Sequence, residues 1–159
     1  MASKKDAAPD KGSKQGKTKK GKGKGEDVPV LSIQLTLAHV GFGGNAGKGH
    51  YFYSFSPDVA TVQTSTPITL EYVFEEEVSS RFQIVNVLNS DAYKQIGAPE
   101  ILDDGRRVRM RNQNSVSTLI FFTVLVRDSL SAYNDVDLIS CDPQVGNDPQ
   151  VIPGRKKRA

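Results

Sequence analysis

Polar and apolar residues alternate along much of this chain. Leu31, Ile33, Leu35 and Leu37 are interleaved with Ser32, Gln34, Thr36 and Ala38. A period of two marks a strand with one buried face, so Val28–Ala38 is predicted as the first strand. The pattern returns in His50–Ser56, with Tyr51, Tyr53 and Phe55 on one side. It returns again in Ile68–Phe74, where Ile68, Leu70, Tyr72 and Phe74 oppose Thr69, Glu71 and Val73. Ser56-Pro57-Asp58 breaks the second strand ahead of a short edge piece over Val59–Gln63. Arg81–Leu88 shows Phe82, Ile84 and Leu88 to one side and Val85 and Val87 to the other, as a strand covered on both faces would. Arg107–Arg111, Thr118–Val126 and Asp135–Cys141 complete the set, with Val136 and Leu138 sharing a face in the last. Asn89–Ala98 offers one helical turn, at Ser90–Lys94.

About seven strands without a long amphipathic helix predict an all-β fold. The expected architecture is a two-sheet antiparallel sandwich, immunoglobulin-like or a related Greek key, with a partly open barrel as the competitor.

Between the first two strands lies Gly41-Phe42-Gly43-Gly44-Asn45-Ala46-Gly47-Lys48-Gly49, predicted as a flexible connecting loop. Gly47-Lys48 resembles the end of a phosphate loop. However, Phe42 stands where the first glycine belongs, and Gly49 where Ser or Thr would hold magnesium. Gly41–Ala46 loosely matches a dinucleotide fingerprint, which works only ahead of a helix N-terminus; here a strand follows. No cofactor is expected. His39 and His50 flank the loop and could join Cys141 or Met110 around copper, but Cys141 has no histidine near it and no metal is expected.

Catalytic chemistry finds little support. Every Ser-His-Asp arrangement must use one of the two histidines, and neither sits in a nucleophile motif. Glu75-Glu76-Glu77 and Asp103-Asp104 adjoin predicted turns and read as solvated acidic loops. Asp142 opposes thiolate formation at Cys141, which reads as a small strand-end residue. The expectation is a non-enzymatic protein.

Charge divides the chain. Of a formal net +3, residues 1–27 contribute +5, residues 28–154 contribute −6 and residues 155–158 contribute +4. Residues 1–27 are rich in lysine and glycine and too poor in apolar side chains to offset their ordering entropy, so a disordered tail is predicted. Residues 28–153 form the expected sandwich and 154–159 a basic C-terminal tail. Lys17, Lys19, Lys20, Lys22 and Lys24, with Arg155, Lys156, Lys157 and Arg158, are candidate contacts to nucleic acid or another polyanion. Solubilising the domain is the plainer role. No apolar run reaches membrane-span length and no secretory signal is visible. With a single cysteine, this favours a reducing, cytoplasmic setting.

Within the body, Arg107, Arg109 and Arg111 share one face of a strand whose other face carries Val108 and Met110. They are a candidate anion-binding stripe. Cross-strand pairing with Glu71 and Glu75 is the favoured reading.

The tetrapeptide Asp-Pro-Gln-Val occurs at Asp142–Val145 and again at Asp148–Val151. Pro143 and Pro149 lack amide donors, which excludes a fully paired central ladder. Asp142 and Asp148 are too few ligands for calcium. The expectation is a structural latch: an irregular edge segment that ends the last strand and packs Val145 and Val151 on the sandwich. Tyr51-Phe52-Tyr53-Ser54-Phe55-Ser56-Pro57-Asp58, the Ile68–Phe74 strand and this doubled motif resemble small bacterial proteins grouped as the DP-EP family. Asp148-Pro149 here stands where the family name suggests Glu-Pro. The resemblance implies a compact β protein and transfers no catalytic residue. The resulting functional expectation is binding or structural work through an unknown protein partner or a homo-oligomer, with nucleic-acid binding through the tails as the alternative.

Overall fold

The computed structural model describes residues 27–131 and 138–149. Among them run β1 (Val30–His39), β2 (Tyr51–Ser56), β3 (Val59–Val62), β4 (Ile68–Phe74), β5 (Phe82–Asn89), β6 (Glu100–Leu102), β7 (Arg107–Asn112), β8 (Thr118–Asp128), β9 (Ile139–Cys141) and β10 (Gln144–Asn147). The chain is all-β, but these ten strands exceed the expected seven. The extra ones are three or four residues long, too short to display a period. The turn expected at Ser90–Lys94 is not helical. Asp91 instead accepts the amides of Tyr93 at 2.9 Å and Ile96 at 2.8 Å. Tails 1–26 and 150–159 and the segment 132–137, with Val136, lie outside the described residues.

One sheet has the order β2-β1-β4-β7-β6, the other β3-β10-β8-β5, with β9 also on β8. The sheets are mixed rather than purely antiparallel, because β1 runs parallel to β4 and β3 parallel to β10. The cause is topological. Between β1 and β4 the chain forms β2 and then crosses to the other sheet for β3, so it returns beside β1 in the same direction.

The predicted alternation becomes the interior. Ile33, Leu35 and Leu37 from β1, Leu70 and Tyr72 from β4, and Ile120, Phe122 and Val124 from β8 belong to one buried cluster between the sheets. Burying each such side chain stabilises the fold by about 1.5–3 kcal/mol. The Tyr72 and Phe122 rings meet edge-on across the sheets at 6.0 Å. In β5 a bulge between Ile84 and Asn86 shifts the register. Phe82, Ile84 and Val87 therefore face inward, and Leu88, expected beside Ile84, is 53% exposed. No helix among the described residues is long and apolar enough to cross a membrane.

Candidate functional site

The arginine stripe sits on the outer face of the first sheet. Arg109 Nε donates to Glu71 Oε2 at 2.6 Å, and Arg107 Nη1 lies 3.5 Å from the same oxygen. Arg107 Nε is 2.8 Å from Asp103 Oδ2, but its N–H is not aimed at that oxygen. Ser32 Oγ also donates to Glu71. Burial raises the Glu71 pKa, but the Arg109 and Ser32 hydrogen bonds and both arginine charges outweigh it and hold the carboxyl below its ordinary value. Arg111 is exposed on the same face. Glu75, the other expected partner, instead accepts from Thr36 Oγ1 at 2.6 Å. Two of the three arginines are thus committed to a cross-strand carboxylate, which weakens the stripe as an anion site.

The stretch between the two Asp-Pro pairs, Gln144–Asn147, is not an edge segment. Val126 faces Ile139, Val124 faces Cys141, Phe121 faces Gln144 and Thr118 faces Asn147 in one unbroken antiparallel register. β9 and β10 are therefore one strand, crossed by Asp142-Pro143, and β10 lies inside its sheet between β3 and β8. Pro143 fits because its carbonyl still accepts Phe122 N–H at 2.9 Å; only the return bond is lost. Asp142 Oδ1 accepts from Thr123 Oγ1 at 2.8 Å, and the Asp142 amide donates to the Tyr53 hydroxyl at 3.2 Å. Asp148 N–H extends the pairing to Val62 O at 2.9 Å, just before Pro149. Val145 is fully buried, as a latch requires, while Val151 lies outside the described residues.

The glycine loop is ordered by its own hydrogen bonds rather than slack. Gly44 N–H donates to Gly49 O at 2.9 Å and His50 N–H to Gly47 O at 3.1 Å. Asn45 brackets the Tyr53 backbone with two 2.8 Å bonds. Glycine is required where the loop rests on Tyr51: a Cβ at Gly44 would lie 1.9 Å from Tyr51 O, and one at Gly47 2.5 Å from its ring.

Tyr51 joins the two sheets at this end. Its hydroxyl donates to Asp128 Oδ2 at 2.8 Å, and Arg81 grips both oxygens of Asp128 at 2.7 Å. Burial of Asp128 is outweighed by the bonds from Arg81, the Leu130 amide and Tyr51, which hold its carboxyl below its ordinary range. Burial, then the bond to Asp128, pushes the Tyr51 phenol up, keeping it a donor. Beside this triad a cleft of about 660 Å³ is lined by both histidines, but Cys141 and Met110 are core residues and do not reach it. Among the described residues no group of three or more His, Cys, Asp or Glu side chains converges as a metal site. The sequence could not reveal the triad because Tyr51, Arg81 and Asp128 lie on three separate strands or strand ends.

One surface escaped the sequence reading. Strand β8 is central in its sheet, yet its outer side is uncovered: Leu119 is 49% and Phe121 52% exposed. Val59 and Leu88, on β3 and β5, are similarly exposed. Register places Val59, Gln144 and Phe121 in one row across the face and Thr61, Gly146 and Leu119 in the next. The signal in the sequence was an apolar residue at both phases of Leu119-Ile120-Phe121-Phe122.

No protein-family model and no curated protein sequence matches the chain. Among solved structures, an inclusion body protein, PixA, from Burkholderia cenocepacia is similar at 8% identity and a TM-score of 0.38. The match covers 77% of this chain and 98% of that one.

Proposed function

We propose that this protein is a non-enzymatic β-sandwich that works through protein contacts, and that its partner is a second copy of itself seated on the outer face of the second sheet. The observation that carries this reading is the exposed apolar patch of Val59, Leu88, Leu119 and Phe121, spread over three successive rows of the face. Gln144 and Gly146 at its centre are uncharged, and the one carboxylate beside it among the described residues of these rows, Asp142, is engaged by Thr123. Two copies related by a two-fold axis would cover apolar surface with apolar surface. Four strands at ~4.8 Å spacing and about seven residues of ~3.4 Å give roughly 450 Å² per copy. That is below the ~800 Å² of a standard interface, so the dimer is weak and reversible.

Immunoglobulin-like or Greek-key classification and kinship with the DP-EP proteins belong to the same proposal. Supporting them are the two-layer core and a chain that changes sheet between most successive strands. A bacterial, cytoplasmic setting belongs to it too, and a single buried thiol suits a reducing compartment.

Sedimentation velocity from about 10 µM to about 500 µM tests the assembly. Wild-type protein is expected to sediment faster as concentration rises, and Phe121→Glu to remain monomeric. A monomer at every concentration, or an unchanged Phe121→Glu dimer, overturns it. Co-sedimenting nucleic acid that nuclease removes, and that is lost when residues 1–27 and 155–158 are deleted, would instead favour the basic tails.

A further inference from the structure

We infer that the edge of β2 is a second pairing surface, complementary to the same strand of another copy, and that the glycine loop is a strap that keeps it shut. Strand β2 borders the first sheet and, among the described strands, pairs only with β1. Its sequence, Tyr51-Phe52-Tyr53-Ser54-Phe55-Ser56, is six residues of high β-propensity without a charge, proline or glycine. Such a segment left open at a border invites a like strand to add to it. The other borders are blunted by other means. Strand β3 is four residues long and β6 three, and β5 carries the bulge between Ile84 and Asn86. Strand β2 has none of these devices.

The strap supplies what the strand lacks. Tyr51 and Tyr53 turn their backbone groups away from β1, and the loop takes all four. Ala46 N–H donates to Tyr51 O at 3.1 Å, and Tyr51 N–H donates to Ala46 O at 3.2 Å. Asn45 repeats the pattern with its side chain: Nδ2 donates to Tyr53 O and Oδ1 accepts from Tyr53 N–H, both at 2.8 Å. A carboxamide carries the donor and acceptor of a peptide group, so Asn45 fills the rung that a neighbouring strand would fill. The segment leading into it is loosely seated. Phe42 is 88% exposed, and a Cβ at Gly41 or Gly43 would have no atom within 4 Å. The two Asn45 bonds are therefore what shuts the Tyr53 rung. Two opened copies would meet β2 to β2, antiparallel about a two-fold axis, with aromatic side chains of one beside those of the other. This edge belongs to the first sheet and is separate from the outer face of the second.

Asn45 is exposed, so Asn45→Ala removes both bonds to Tyr53 without touching the core. In dilute full-length protein, the Tyr53 amide of that variant is expected to exchange with deuterium at least about tenfold faster than in wild type, read by NMR. Sedimentation velocity then reads the pairing, with every protein also carrying Phe121→Glu to silence the outer face. Between about 10 µM and about 500 µM, Asn45→Ala should associate at least about tenfold more tightly than its Asn45 parent. Adding Ser54→Lys, a charge on the exposed side of β2, should abolish the gain. An unchanged Tyr53 exchange rate, association no stronger than in the parent, or association that survives Ser54→Lys each overturns the inference. If Phe121→Glu alone still dimerises, the outer-face reading fails, and the comparison of Asn45→Ala with its parent still decides this one.

Discussion

Asn112 and Asn147 exchange two amide hydrogen bonds inside the core. Asn112 Nδ2 donates to Asn147 Oδ1 at 2.7 Å, and Asn147 Nδ2 returns a bond to Asn112 Oδ1 at 3.0 Å. The residues are 0% and 2% exposed and belong to β7 and β10, one in each sheet. A buried amide is tolerated only when paired, so each side chain makes the other admissible. Replacing Asn147 alone strands the Asn112 Nδ2, whose Oδ1 keeps the Asn114 amide; replacing Asn112 alone strands Asn147 and that amide. Asn112→Leu or Asn147→Leu is expected to cost about 2–3 kcal/mol, and the double variant less than the sum of the two. Urea denaturation of the four proteins in a double-mutant cycle measures the coupling.

The Tyr72 hydroxyl presents the opposite case. It is fully buried and has no hydrogen-bond partner among the described residues. Burial drives its pKa far up, so it remains a neutral phenol at every physiological pH. Tyr72→Phe removes an unpaired polar atom and keeps the ring contacts to Phe55 and Phe122. The variant is expected to gain about 1 kcal/mol, read as a higher melting temperature.

Acid should unfasten the cleft end of the sandwich. The Asp128 carboxyl is held below its ordinary value, so its stabilisation is complete above the unfolded pKa of about 3.9. It is lost as pH falls through the lower folded value. Asp128→Asn should therefore be less stable than wild type at pH 7, with the gap closing as pH drops below about 4. At pH 7 the gap is expected to be about 2–3 kcal/mol, short of a fully buried pair because water still reaches Arg81. Denaturation midpoints of both proteins across pH 2–7 check the trend. A gap that stays constant with pH would remove Asp128 from this role.

Cys141 is expected to be chemically silent in the folded protein. Burial, then the charge of Asp142, pushes its thiol up to about 12, and the side chain is 0% exposed. At pH 8 a disulfide-exchange reagent should react only as fast as the domain opens, and promptly in denaturant. Prompt reaction of native protein would contradict the buried strand end.

The parts of this fold legible in the sequence are those where one face is buried without interruption. Leu31 to Leu37, Ile68 to Phe74 and the Val108–Met110 pair all point where their alternation says they should. Three things were not legible, each for a physical reason. A single inserted residue near Val85 reverses the phase of β5, so Leu88 surfaces. Strands as short as β6 and β10 are defined by neighbours far away in the chain rather than by their own period. Parallel pairing of β1 with β4 depends on which sheet the chain visits between them. The site was legible only in pieces: the glycines at 44 and 47 stood out, but not the Tyr51 ring that makes them necessary. The proline in Asp142-Pro143 argued for an edge; Pro143 itself is paired only toward β8, but Gln144–Asn147 just after it is central, because a proline carbonyl alone can keep a ladder in register.

That unbroken register sets a timetable for biogenesis. Val59 has no ladder partner until Gln144 has been made, and Ile120 must wait for Val145. A ribosome delivering this chain from its N-terminus would therefore release β3 long before, and β8 shortly before, the strand that unites them, leaving the second sheet unfinished until nearly the last described residue emerges. Closure of the sandwich is then a late, long-range event, and loss of Gln144–Asn147 would open the middle of a sheet rather than trim its border.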